Sequence, residues 1–197
     1  GTASSPVQPN IMVVLAESVL AADDALDALK SQIFRELLTY MMQDGGKIEP
    51  SLDLILVSRH LERIGDQVGH VARAVLESDP GSPNRPHAAL AHLASLVRTN
   101  CARTMESFAS LDVALALQVA QADLEVNREY QGSMRQLLTY IMEDPRTTSS
   151  ALQLAWTARA LERIGDHAKN IAEQIIFVVK GEDVRHSSMD KMESVVG

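Results

Sequence analysis

Between residues 54 and 75 the apolar positions fall at Leu54, Val57, Leu61, Ile64, Val68, Val71 and Val75. Spacings of three and four draw a single stripe along a helix. The same period runs through the stretches 10–43, 88–109, 112–143 and 149–180. No stretch sustains the alternation of period two that a half-buried strand requires. Breakers separate the periodic stretches. "DGGKIEP" at 44–50 and "EDPRTTSS" at 143–150 read as turns. "ESDPGSPNRP" at 77–86 carries three prolines and one glycine and reads as a linker, and Gly181 closes the last long apolar pattern. The pattern therefore predicts five helices, at 10–43, 51–77, 88–109, 112–143 and 149–180. A helix of some thirty residues is roughly 50 Å long. Long antiparallel helices joined by short turns form an up-down bundle.

The second half of the chain repeats the first without a gap. "RELLTYMMQD" at 35–44 matches "RQLLTYIMED" at 135–144, and "SRHLERIGDQVGHVA" at 58–72 matches "ARALERIGDHAKNIA" at 158–172. Such repeats are supersecondary units that pack on one another. The expected fold is all-α, a tandem repeat of antiparallel helical bundles over 10–77 and 88–181, with 78–87 as linker and 1–9 and 182–197 as loose termini. The second unit has three helices, but the first shows two. A two-helix unit leaves an apolar strip that another helix must cover, which favours a homodimer.

Composition narrows the function classes. Apolar residues make up 46% of the chain and aromatics 4%, a mix suited to packed helices. The net charge of −8 argues against nucleic acid as a partner and against adsorption to anionic lipid. No apolar run is long enough to span a membrane. The opening "GTASSPVQPN" lacks the basic and apolar regions of a signal peptide. Cys101 is the single cysteine and reads as a small core residue.

The phrase "LERIGD" occurs at 61–66 and at 161–166. Arg59, Glu62, Arg63 and Asp66 share one helix face, and Arg159, Glu162, Arg163 and Asp166 repeat it. One reading is a solvated face of i,i+4 ion pairs, each worth a few tenths of a kcal/mol. Gly65 and Gly165 each cost about 1 kcal/mol inside a helix, which implies close helix packing or backbone room beside a site. The preceding helix of each unit supplies further acids: Asp23 and Asp27 in the first, and Asp123 in the second, with Asn127 four residues on. Converging carboxylates repel unless a cation or a shared proton lies between them. Helical bundles build carboxylate metal sites in this way, and oxygen-rich ligation suits magnesium, calcium, manganese or iron. Four carboxylates against three would make the first cluster the tighter. His70 and Asn170, one turn further on, are candidate neighbours. Tyr40, Tyr140, Met41, Met42, Met142 and Trp156 read as core residues.

Taken together, these segments resemble the PhoU family, accessory regulators of bacterial high-affinity phosphate uptake. "LERIGDHAKNIAE" followed by "IIFVVKGEDVRH" is similar to the end of that family, and "DVALALQVAQADLEVNREY" with "RQLLTYIMEDPR" to the helix before it. The resemblance implies two three-helix bundles related by a pseudo-twofold, in a cytoplasmic, non-enzymatic repressor of the phosphate regulon. It implies two partners, the ATP-binding subunit of the phosphate transporter and a sensor histidine kinase. It also implies multinuclear iron or zinc at Asp/Glu-x-x-x-Asp motifs, which fall here at Asp23/Asp27, Glu62/Asp66 and Glu162/Asp166. The fourth departs, since Asn127 follows Asp123. The family's first helix has no counterpart before residue 10.

Two further classes stand beside a regulator. Paired carboxylates suit a metalloenzyme. However, the chain holds no Ser/His/Asp set, no H-E-x-x-H and no phosphate-binding glycine loop. In a metal-free adaptor, the acidic turns would be a docking surface.

Overall fold

The computed structural model describes residues 11–77, 87–185 and 187–197. The expected leader, almost all of the expected linker, and His186 lie outside these residues. Helix α1 spans Ile11–Gln43, α2 Ile48–Glu77, α3 His87–Ser110, α4 Val113–Glu143, α5 Thr148–Lys180 and α6 Met189–Val196. Among the described residues there is no strand, and the fold is the all-α tandem repeat that the sequence predicts.

The two hairpins, α1–α2 and α4–α5, turn by the same chemistry. Asp44 accepts a hydrogen bond from Gly46 N at 2.9 Å, and its repeat partner Asp144 accepts one from Arg146 N at 3.1 Å. Each carboxylate thereby satisfies an amide of the short 3-10 turn that leads into the next helix. Asp112 caps α4 through Leu115 N at 3.0 Å. Gly181 ends α5 at φ 73°, a left-handed position that glycine takes without a Cβ penalty.

Two core clusters hold the bundle together. One joins Val57 of α2 to Val119 and Ala120 of α4, to Ile171, Ile175 and Ile176 of α5, and to Val184 and Met192 at the C-terminal end. The other joins Leu90, Leu93 and Val97 of α3 to Val126 of α4 and to Ala158, Leu161 and Ile164 of α5. Ile64 of α2 borders both. Cys101 lies against the second cluster, and burial pushes its thiol up to about 11, so it stays protonated and inert at neutral pH.

Helices α2 and α5 are antiparallel. Asp53 accepts a hydrogen bond from Gln174 at 2.7 Å, and seven residues further along α2, His60 meets His167 at 3.2 Å. Stepping three more residues places position 63 opposite 164 and position 64 opposite 163. The two copies of "LERIGD" therefore cross at the pseudo-twofold between the repeats.

The first unit is open. Among the described residues α1 packs on α2 and on no other long helix, whereas α4 packs on both α3 and α5. Only Ala16 and Leu37 of α1 are buried, and Ile11, Leu15, Leu29, Phe34 and Met42 are exposed.

Several residues expected in the core are in water. Tyr40, Met42 and Met142 are exposed, and Met41 and Tyr140 are only half-buried. All five lie near the hairpin tips, where the returning helix covers one side alone. Trp156 is 70% exposed. It stands two residues, about 200° of helical turn, from the buried Ala158, and so faces away from the core. The tail is not loose, because α6 packs on the bundle with Met192 1% and Val184 0% exposed. Its apolar residues Met189, Met192, Val195 and Val196 are spaced for one helix face.

Because Trp156 makes so little buried contact, Trp156→Ala is expected to change stability by no more than about 0.5 kcal/mol. Thermal unfolding of the two proteins tests this. A loss of several kcal/mol would show that the tryptophan anchors the core.

Candidate functional site

Both glycines of the repeated phrase mark close helix approach, and the repeat matches position for position. A Cβ at Gly65 would press against Leu26 Cδ2 and stand 3.5 Å from Asp23 Oδ1. A Cβ at Gly165 would stand 3.0 Å from Val126 Cγ1 and 3.4 Å from Asp123 Oδ1. Leu26 and Val126, like Asp23 and Asp123, are repeat equivalents. The bare backbone thus lets the acid of the preceding helix reach the acid-bearing turn. Packing and site room, alternatives on sequence grounds, are one feature.

The second acidic cluster is buried. Asp123 on α4 is 1% exposed, and Glu162 on α5 is 8%. Asn127 Nδ2 donates to Asp123 Oδ2 at 3.0 Å, and Lys169 Nζ lies 3.8 Å from that oxygen. Arg159 Nη1 donates to Glu162 Oε1 at 2.8 Å. The other oxygen of each carboxylate, Asp123 Oδ1 and Glu162 Oε2, is buried without a hydrogen-bond partner. Burial pushes both acids above their ordinary range, and the charge of Asp166 pushes the same way; Lys169 and Arg159 respectively oppose it. An uncompensated buried carboxylate oxygen is costly, which makes this pair the strained element of the site.

The first cluster is more open. Lys30 of α1 forms an ion pair with Glu62, and Arg63 Nη1 lies 3.3 Å from Asp66 Oδ2. Asp23 is half-buried beside Gly65 and Gly69, and Asp27 is exposed. Helix α3 packs on both α4 and α5, whereas among the described residues α1 packs on α2 and on no other long helix. Among the described residues, no three His, Cys, Asp or Glu side chains converge in a geometry that holds a metal ion. His70 is exposed, and Asn170 is partly buried.

Three residues at the site were not singled out from the sequence. Lys30 and Lys169 neutralise acids on neighbouring helices, contacts that no local spacing encodes. His167 packs against His60, and burial holds both imidazoles below their ordinary pKa. One signal was available in the repeat. Tyr130, the equivalent of Lys30, has the Arg159 guanidinium over its ring at 5.8 Å, so each unit brings a cation to its glutamate from the same level. Beside the acids a cleft of about 540 Å³ opens between α2 and α5, lined by Arg63, Gln67, Arg159, Arg163, Asp166, His167, Lys169 and Asn170.

Fold and site together define a class: an all-α tandem-repeat bundle with matched acidic and basic residues on its pseudo-twofold. The comparisons place it more closely. The family model described as PhoU domain matches residues 10–75 and 90–175. The chain is 38% identical over 186 residues to the Phosphate-specific transport system accessory protein PhoU homolog of Pseudomonas aeruginosa, covering 92% of this chain and 77% of that protein. The crystal structure of PhoU from Pseudomonas aeruginosa superposes with a TM-score of 0.83 at 36% identity, over 86% of this chain and 83% of that one. The phosphate transport system regulatory protein PhoU from Streptococcus pneumoniae shares the fold, with a TM-score of 0.79 at 21% identity, over 87% of this chain and 82% of that one. The chain belongs to the PhoU family.

The glycine contacts differ in how they can relax. Leu26 is a flexible side chain on the open helix α1, whereas Val126 is β-branched and 1% exposed. Gly165→Ala is expected to destabilise by about 1–2 kcal/mol, since overpacking outweighs the gain in helix propensity. Gly65→Ala is expected to lie closer to neutral. Denaturant titration of both variants measures the difference, and a larger loss at Gly65 would contradict the packing account.

Proposed function

We propose that this chain restrains phosphate uptake and represses phosphate-starvation signalling by protein–protein contact, without turnover of its own. In this reading it works in the cytoplasm and docks on the ATP-binding subunit of a phosphate transporter and on a sensor histidine kinase. The observation that carries the proposal is the 38% identity, across 92% of the chain, to a protein named as an accessory of phosphate-specific transport. The long helices offer apolar contact surface in water, including Leu138, Met142, Leu152 and Trp156 near one hairpin tip. Among the described residues no helix is long and apolar enough to cross a membrane. The homodimer belongs to the same reading, with a second copy covering the open face of α1.

The test is affinity capture from cells grown with and without phosphate, followed by reconstitution with the purified transporter and kinase. Recovery of both partners, with uptake slowed by the added chain, is the expected result. Folded protein that captures neither partner would sink the proposal.

A second reading, metal binding at the acidic clusters, is favoured by the two unpartnered buried oxygens of Asp123 and Glu162. A hard divalent cation such as manganese, magnesium or iron(II), or zinc, fits carboxylate donors. Asp123, Glu162 and Asp166 would hold it in the second cluster, and Asp23, Asp27, Glu62 and Asp66 in the first. Counting carboxylates favours the first cluster, but both clusters already hold basic partners, Lys30 on Glu62 in the first and Arg159 and Lys169 on Glu162 and Asp123 in the second. The tighter site is expected at the second cluster, because its buried oxygens lack a partner. In calorimetric titration with Mn²⁺, Asp166→Ala should weaken binding at least tenfold, and Asp66→Ala should weaken it less. If neither substitution matters, the reading fails.

A further inference from the structure

We propose that the cleft at the α2–α5 crossing binds a small multivalent oxyanion of the phosphate type. The starting point is the pseudo-twofold. Arg63 and Arg163 are the same letter of the same repeated phrase, and the antiparallel crossing delivers both to one cleft, with Arg159 beside them. Guanidinium groups from two helices thus converge in a chain whose net charge is −8. Like charges that share a cleft repel, and an anion between them removes the repulsion.

The guanidiniums are available. Arg163 makes no ion pair among the described residues. The Arg63–Asp66 pair is long, at 3.3 Å, and both side chains are more than one third exposed. Such a pair contributes at most about 1 kcal/mol, so an incoming oxyanion displaces it at little cost. A guanidinium presents parallel N–H donors that match two oxygens of one phosphate, and a second guanidinium can take the remaining oxygens. The Gln67 amide on the α2 wall supplies a further donor.

The acids decide where the anion sits. Asp166 also lines the cleft, and Glu162 holds Arg159. Their repulsion disfavours an anion beside the buried carboxylates, and on the outer side the anion would compete with Asp66 for Arg63. The ligand chemistry is a doubly charged phosphate oxygen set, whether from inorganic phosphate or from the terminal phosphate of a nucleotide. The proposal rests on the cleft and stands apart from the transporter reading.

The test is isothermal titration of the full chain, freed of metals with chelator, at low ionic strength, against inorganic phosphate and separately against ATP. Saturable binding of at least one is expected. Arg163→Ala and Arg63→Ala should each weaken it at least tenfold, Arg163→Lys should retain part of it, and Asp166→Asn should tighten it severalfold. Arg163 is exposed, so its variants should keep the parent's circular dichroism and melting temperature. Binding of ATP alone, sensitive to Arg163→Ala, supports the site with a nucleotide as the source. No saturable heat with either ligand overturns the proposal. So does binding that Arg163→Ala leaves intact. Loss of binding in Asp166→Asn overturns it too, because the carboxylate would then help to hold the ligand rather than repel it.

Discussion

The antiparallel crossing of α2 and α5 is the contact on which the rest of the molecule depends. It joins the two repeats, and Ile64 at its centre touches both core clusters. Because the two helices are repeat equivalents, their crossing creates a pseudo-twofold, and whatever lies at its centre appears twice. The repeated phrase lies there. Its glycines hold the flanking helices α1 and α4 close, its isoleucines fill the core, and its charged residues face the crossing and the hairpin seams.

Identical letters meet different surroundings on the two sides of that axis. Glu162 is buried and keeps an unpartnered oxygen, while Glu62 is only half-buried, beside Lys30. Burial raises the cost of each charge and leaves fewer water molecules to satisfy it. The second cluster is therefore the one under electrostatic strain, although it carries one carboxylate fewer than the first.

Strain of this kind would be relieved in either of the two readings proposed above. In the one a cation would satisfy the buried oxygens of Asp123 and Glu162, and in the other the basic groups on the outer side would hold an anion. The two features adjoin along α5, where Arg159 faces Glu162 and Arg163 faces the cleft. Occupation of either would alter the field felt by the other, since both belong to a single network of charges at the crossing.

The sequence by itself determined the helices, because an apolar period of three to four residues depends on nothing beyond the chain. It determined the repeat and the two hairpin turns built on Asp44 and Asp144. It also assembled the acid list, since residues one turn apart share a face whatever packs on them. It did not determine which face meets water at a hairpin tip. Trp156, Met42 and Met142 carry the apolar signature of core residues, yet they lie on sides that none of the described helices covers. Helix α6 was missed because a short apolar pattern after a helix stop is weak evidence until the groove that receives Met192 exists. Lys30 and Lys169 became partners of acids only when α1 and α4 were laid against α2 and α5. The convergence of Arg63 and Arg163 likewise follows from the antiparallel crossing alone. Periodicity is local and is written in the chain, whereas burial and charge pairing depend on which helices become neighbours, and that is settled only when the bundle closes.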